Sequence, residues 1–431
     1  MNNRKKILLS VLHSLWMILL VFILQKSPII FNYEVNLTQN LWETEFYARF
    51  GKVKNQNQFT QKFFFINTAR SFEIDDETPS ETANLRTNRA QLLSVLKTLN
   101  ENKDDFAVIF LDIFIPEAQS ATDIELQKVV GELKQHKKIV TVTNVVNYYE
   151  PMTNLPSLVK SIRFHSNDYT LYEKNMFGDA LSGPAYYPLS NSDAFFKFNY
   201  NVRIENKSRK QAPLLLYECI DSKTAKAPFG FGLFYKYNGD GRLYQNIYIP
   251  KIILDNNSLH YVKDETSAQN AEFLNELADD EEFLTDKLSR EPGKIIFIGD
   301  MSFGDVHYAK GARISGPMLV ANTLIALMEA NNRISYLYLI FLVFAFSAVS
   351  YLTFNPKILE TESRRKIKFS LLHSIYQYLI SKSNYLILLG ATLVGIFIFN
   401  QYIFLFFNLI YIFLLSKLIN WNKKSRAAFS A

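Results

Sequence analysis

Four segments free of charged residues, one near the start of the chain and three near its end, constrain this protein more than any other feature. They are Ile7–Leu24, Ser335–Phe354, Tyr385–Phe399 and Tyr402–Leu415. A hydrocarbon core about 30 Å thick takes roughly 20 helical residues to cross. The first two reach that length. The last two are shorter and are joined only by Asn400 and Gln401, so they are expected to borrow flanking residues as a tight helical hairpin. A re-entrant hairpin is the alternative. The first segment is long for a signal peptide, and Gln25-Lys26-Ser27-Pro28 offers no small-x-small cleavage site. An uncleaved anchor is expected.

The basic residues set an orientation. Arg4, Lys5 and Lys6 precede the first segment, and Lys357, Arg364, Arg365, Lys366, Lys368 and Lys382 lie between the second and third. Lys417, Lys423, Lys424 and Arg426 follow the fourth. These stretches fall on one side of a bilayer if all four segments span it. The expected layout is transmembrane helices over 7–24, 335–354, 384–399 and 401–416. Residues 1–6, 355–383 and 417–431 are then cytoplasmic, and residues 25–334 form one domain outside.

Charge follows the same division. The cytoplasmic stretches hold 13 basic residues and two acids, Glu360 and Glu362, a balance of +11; the whole chain is +6, which leaves the projecting domain at −5. The basic character belongs to the membrane flanks. A mildly acidic domain is a poor partner for nucleic acid. The single cysteine, Cys219, excludes an internal disulfide or a multi-cysteine metal site, and a buried inert thiol is expected.

Within the projecting domain, residues 32–50 carry Leu37, Leu41, Trp42, Phe46, Tyr47 and Phe50 at helical spacing. KFFFIN (62–67), FAVIFLDIFI (106–115, stopped by Pro116), IVTVTNV (139–145) and KIIFIGD (294–300) are short, nearly continuous apolar runs. Helical patterns over 88–99 and 123–136 separate the first three. Apolar strands alternating with helices predict an α/β domain with a mainly parallel sheet covered on both faces. Residues 150–260 change character, with alternating stretches at 197–204 and 242–249 that predict an antiparallel elaboration. Gly230-Phe231-Gly232 is expected to be a turn. An acidic run at 272–286 is expected to form a solvated helix. Ser315-Gly316-Pro317 opens a helix to about Glu329, close to the second span.

Chemistry concentrates in few residues. Asp112 lies within ten otherwise apolar residues, where an unpaired carboxylate would cost several kcal/mol to desolvate. Asp300 ends another apolar run, and the loop after it, Met301 to Gly311, holds Asp305 and His307. Loops at the carboxyl ends of parallel strands form the usual ligand crevice. Asp112, Asp300, Asp305 and His307 are therefore candidate ligand-binding residues, with Asp305 and His307 a weak metal signal. A structural role competes, because aspartates at strand ends often accept backbone N–H bonds or cap helices. No Gly-x-Ser-x-Gly, Walker or His-Glu-x-x-His motif is present. Asn36, Asn206 and Asn256 head Asn-x-Ser/Thr triplets that chance alone would supply. No catalytic residue and no cofactor is assigned.

Several of these stretches, in this order, resemble the extracytoplasmic sensor family called CHASE, type two. Thr44-Glu45-Phe46-Tyr47 resembles its helix after the first span, and Phe63–Asn67 with Asn88-Arg89 resembles its first strand and helix. Val108–Phe114 resembles its buried strand with an aspartate. Gly293–Asp300, Asp305, His307, Gly311, Gly316-Pro317-Met318 and Ala321-Asn322 resemble its closing strand, loop and helix. One span, a sensor domain and three further spans is the family's layout; residues 150–290 give no match. The resemblance implies a sensory protein of the bacterial inner membrane, multi-pass, with its sensor domain outside. Family members usually continue into a kinase, cyclase or similar output domain after the last span, and this sequence does not. A separate membrane or cytoplasmic protein partner is expected, besides the lipid bilayer itself. An envelope scaffolding protein is the alternative to a sensor, and a metal-dependent membrane hydrolase is a third reading.

Overall fold

The computed structural model describes residues 3–26, 59, 61–74, 85–118, 120–146, 168–169, 171–185, 197–204, 207–221, 229–230, 233–235, 246–248, 254–255, 258–261, 270–302, 306–309, 312–329, 333–355, 382–399 and 405–429. In chain order its helices are α1 (Asn3–Lys26), α2 (Arg89–Glu101), α3 (Ala121–Gln135), α4 (Ala212–Ile220), α5 (Leu274–Asp279), α6 (Glu281–Arg290), α7 (Gly316–Met328), α8 (Tyr336–Phe354), α9 (Ser383–Phe399) and α10 (Leu405–Phe429). One all-parallel sheet organises the domain: β1 (Phe63–Asn67), β2 (Phe106–Leu111), β3 (Ile139–Val142), β4 (Ser182–Gly183), β5 (Ala271–Phe273) and β6 (Lys294–Gly299). Its order is β5-β1-β6-β2-β3-β4, with every neighbouring pair parallel.

The α/β class expected from the apolar runs is what the chain adopts. Continuous apolar strands are needed because both faces of the sheet are covered. The pleat sends Phe63, Phe65, Val108, Phe110, Val140 and Phe297 to one face, packed under α4 and α7. Phe64, Ile66, Ile109, Leu111, Ile296 and Ile298 face the other way, under α2, α3, α5 and α6. The steps β1 to β2, β2 to β3 and β5 to β6 all run in one direction across the sheet. Right-handed crossovers therefore put α2, α3, α5 and α6 on the same face. The return from β4 to β5 runs the opposite way and carries α4 to the opposite face. β6 lies at the centre, where the Phe297 ring meets Phe63, Phe65 and Phe110 at centroid distances of 5.5, 5.5 and 5.8 Å.

Local signals fix several boundaries. Asn88 caps α2 by accepting from the Gln91 N–H, and Ser120 with Asp123 forms a reciprocal capping box on α3. The strand expected to run to Ile115 ends at Leu111, so Asp112 leaves the ladder rather than lying inside it. IVTVTNV divides at Thr143; its second part, Asn144–Val146, pairs antiparallel with Leu171–Glu173. The acidic run begins with edge strand β5 and then breaks into two helices. Glu272 of that strand is buried, and burial pushes its carboxyl up to about 7, with Lys287 acting against that. The antiparallel elaboration is present as short ladders, among them Lys197–Asn199 with Asn246–Tyr248 and Asn201–Ile204 with Lys207–Lys210. The loop after Met301 contains an antiparallel hairpin, Val306–Ala309 with Ala312–Ser315. The helix expected over 32–50 and the three Asn-x-Ser/Thr asparagines lie outside the described residues.

The end helices pack on one another. His13 contacts Phe354 and Met17 meets Ser350, so α1 and α8 run antiparallel. Phe399 at the end of α9 lies on Tyr338 and Phe341 at the start of α8. A strand, Arg333–Ser335, joins α7 to α8 and pairs with Leu233–Tyr235, which itself pairs with Phe229–Gly230. The last helix continues beyond Leu415 to Phe429, so the basic tail is helical. Among the described residues one helix, α8, is long and apolar enough to cross a membrane; shorter apolar stretches occupy Ser383–Gly395 and Phe407–Ile419. Of the exposed large apolar side chains among those residues, Phe72, Ile124 and Phe283 belong to the α/β domain and all the others to α1, α8, α9 and α10.

Gly299 lets α7 close on the sheet. A Cβ there would fall 2.9 Å from Pro317 Cγ and 3.0 Å from Asp112 Cβ. Overpacking of this kind costs about 1–3 kcal/mol. Gly299→Ala is expected to lower the thermal midpoint of the purified chain in detergent, and an unchanged midpoint would contradict the close contact.

Candidate functional site

Connections diverge at the carboxyl edge of the sheet around β6. Chain leaving β1 and β2 turns toward the α2 and α3 face, whereas chain leaving β6 passes through the hairpin to α7 on the opposite face. Diverging connections of this sort mark the usual place for a ligand crevice. Asn67 and Thr68 follow β1 at this edge, Asp112 follows β2, and Asp300 to Ser302 follow β6.

Asn67 holds this edge together. It is buried at 4% exposure, and its carboxamide serves three partners. Oδ1 accepts from the Ala69 N–H at 3.1 Å and the Met301 N–H at 3.0 Å, and Nδ2 donates to the Tyr261 hydroxyl at 2.8 Å. The loops after β1 and β6 are thereby tied to one side chain. Tyr261 stacks on Phe273 with centroids 4.6 Å apart, and the Arg70 guanidinium lies 3.7 Å from the Phe273 ring centre. Burial pushes the Tyr261 hydroxyl up; Asn67 and Arg70 act against this and Asp300 adds to it. Tyr261 is therefore a neutral hydroxyl at physiological pH, held by the Asn67 carboxamide.

The four residues expected to bind ligand divide into two groups. Asp112 and Asp300 come to neighbouring positions. The β6–β2 register sets Ile298 beside Leu111, and the Asp112 N–H donates to the Ile298 carbonyl at 2.8 Å. Asp112 is half-buried beside Gly299. Asp300 Oδ1 accepts from the Ser302 N–H at 2.7 Å, which shapes the turn out of β6. His307 is in the hairpin strand, opposite Ile314, with its side chain outside the described residues, as is Asp305 altogether. Among the described residues no group of three or more His, Cys, Asp or Glu is arranged to hold a metal. Asn67 and Tyr261 are additions that sequence reasoning did not supply. A polar residue ending KFFFIN is a faint signal for the first, and Tyr261 falls in a stretch without pattern.

Two other reactive groups are structural. Cys219, on α4, has its thiol pushed up to about 11 by burial, with Glu218 adding and Lys137 opposing, so little thiolate forms at neutral pH. Lys134 Nζ lies 2.8 Å from Ser182 Oγ, the spacing of a serine–lysine pair. It also donates to the Phe177 and Gly178 carbonyls at 2.8 and 3.2 Å, so all three ammonium hydrogens are engaged. Burial pushes this amine down to about 8, against the pull of Asp179. The cluster, which includes a short contact between Ser182 and Thr141, staples β4 to the sheet.

Removing the Asn67 side chain would take the acceptor from the Ala69 and Met301 N–H groups, at about 1–3 kcal/mol for each buried group. Asn67→Ala is expected to destabilise the domain in a thermal melt by more than Asn67→Asp, which keeps the acceptor for Met301. Equal melts for both variants would remove Asn67 from this role. Compared with family models, curated proteins and solved structures, the chain matches none of them.

Proposed function

We propose that this protein is a membrane-anchored extracytoplasmic sensory or binding protein, CHASE-like in layout, that takes a polar ligand at the carboxyl edge of its sheet. In this reading α1, α8, α9 and α10 cross the bilayer, both ends of the sequence are cytoplasmic and residues 25–334 project outside. The exposed apolar faces of these helices and the flanking basic residues support the membrane placement. Asp112, Asp300, Asn67 and Tyr261 supply the polar groups of the crevice, with Asp305 and His307 as further candidates from the sequence.

The observation that carries the sensory reading is unbroken packing from crevice to bundle. One apolar cluster runs from Phe297 and Phe110 in the sheet, through Met318, Leu324 and Leu327 of α7, to Leu342 and Phe346 of α8, Leu388 of α9 and Ile412 of α10. α7 begins at Gly316, against Gly299 and Asp112, and its end leads through the paired strand Arg333–Ser335 into α8. A ligand that changes the crevice thus acts on an element that shares one apolar cluster with the bundle and leads into it. Output passes to a separate membrane or cytoplasmic partner through the basic loop 355–383 and the helical tail.

Thermal shift of the full chain in detergent tests this, with amino acids, dicarboxylates, polyamines and divalent cations as probes. At least one class is expected to raise the melting temperature, and Asp112→Asn with Asp300→Asn is expected to abolish the rise. No stabilisation by any class, or a rise that survives the double substitution, would remove the crevice as the ligand site.

A further inference from the structure

The end helices contain a polar chain that the ligand reading does not use. His13 on α1 faces Ser350 of α8 through Nδ1 at 2.7 Å and the Tyr411 hydroxyl of α10 through Nε2 at 2.9 Å. Its ring stacks on Tyr411 with an interplanar angle of 14° and meets Phe354 edge-on at 5.2 Å. The partners determine where the hydrogens lie. Ser350 Oγ gives its proton to the Phe346 carbonyl at 2.6 Å, so it accepts from His13 Nδ1–H. That leaves Nε2 the acceptor of the neutral ring, so the Tyr411 hydroxyl turns its own proton to it. The chain is consistent in one direction only for a neutral imidazole carrying its proton on Nδ1.

We infer that His13 is a proton-binding site at the junction of α1, α8 and α10, whose protonation releases α10 from α1. A proton added to Nε2 turns that atom from acceptor to donor, so the Tyr411 hydroxyl loses its acceptor and must rotate. Among the described residues of the end helices the new cation meets no carboxylate. α1, α8, α9 and α10 contain no Asp or Glu. Facing the ring, α8 offers Ser350, Phe346 and Phe354, and α10 offers Tyr411. The charged groups on these elements are all basic: Arg4, Lys5, Lys6 and Lys26 on α1, Lys382 before α9, and Lys417, Lys423, Lys424 and Arg426 on α10. Glu360 and Glu362 belong to the stretch outside the described residues. His13 is six residues from Ile7, Tyr411 six from Lys417 and Ser350 four from Phe354, all toward the basic end of the bundle. The inference stands on this geometry and not on a ligand in the crevice.

The test uses the full chain in nanodiscs, in a Cys219→Ser background, with spin labels at the exposed positions Leu8 on α1 and Leu418 on α10. Pulsed electron resonance is expected to give a narrow distance distribution at alkaline pH and a longer, broader one at mildly acidic pH. His13→Phe, which keeps a ring but no proton site, is expected to abolish the pH response. Tyr411→Phe, which keeps the stack, serves if the first variant fails to fold. Nitrogen-15 spectra of labelled histidine are expected to report the Nδ1–H tautomer at alkaline pH. An Nε2–H tautomer, a wild-type distribution that does not move with pH, or a response retained in both variants would overturn the inference.

Discussion

An apolar side chain left in water forfeits about 1.5–3 kcal/mol relative to burial. α8 shows Leu337, Ile340 and Phe344 outward, and α1 shows Ile7, Leu8, Leu12, Leu15 and Leu19. The account depends on those faces meeting lipid, where an α-helix satisfies its own backbone and nothing opposes apolar exposure. In the proposed placement the basic flanks would select the orientation, the parallel sheet would lie on the far side, and α7 and the strand Arg333–Ser335 would be the parts of the domain that lead into the bilayer.

The sheet determines what that connection can transmit. Its centre is β6, and the chain leaving β6 goes to α7 while its neighbours go to the opposite face. The same divergence that sets Asn67, Asp112 and Asp300 at one edge of the sheet therefore sends the chain through α7 toward α8. Gly299 allows this helix to touch the sheet at the crevice, and Asn322 pins its next turns by exchanging hydrogen bonds with both backbone groups of Leu254.

Much of this was legible in the sequence where burial imposes a pattern. KFFFIN and KIIFIGD announce themselves because strands covered on both faces are continuously apolar, and Asn88 and Pro317 mark helix starts by local backbone chemistry. What escaped was set by distance in the chain or by brevity. β4 has two residues and β5 three, too short for any periodicity. The end of β2 at Leu111 is decided by its neighbours and not by Pro116. Asn67 takes its meaning from Tyr261 and Met301, 194 and 234 residues away, and His13 from partners 337 and 398 residues away. Asp300 could be placed at a strand end from its apolar neighbours, whereas Asp112 reads as lying inside its strand, and their adjacency required the strand order.

Membrane placement is tested most directly by labelling single cysteines in spheroplasts with a maleimide that cannot cross the membrane, in a Cys219→Ser background. Exposed positions on either side of the proposed bilayer are Lys97 on α2, Ser289 on α6 and Lys5 on α1. The account predicts that Lys97→Cys and Ser289→Cys label on intact spheroplasts, and that Lys5→Cys labels only after permeabilisation. Protection of Lys97→Cys and Ser289→Cys until the membrane is opened would contradict it.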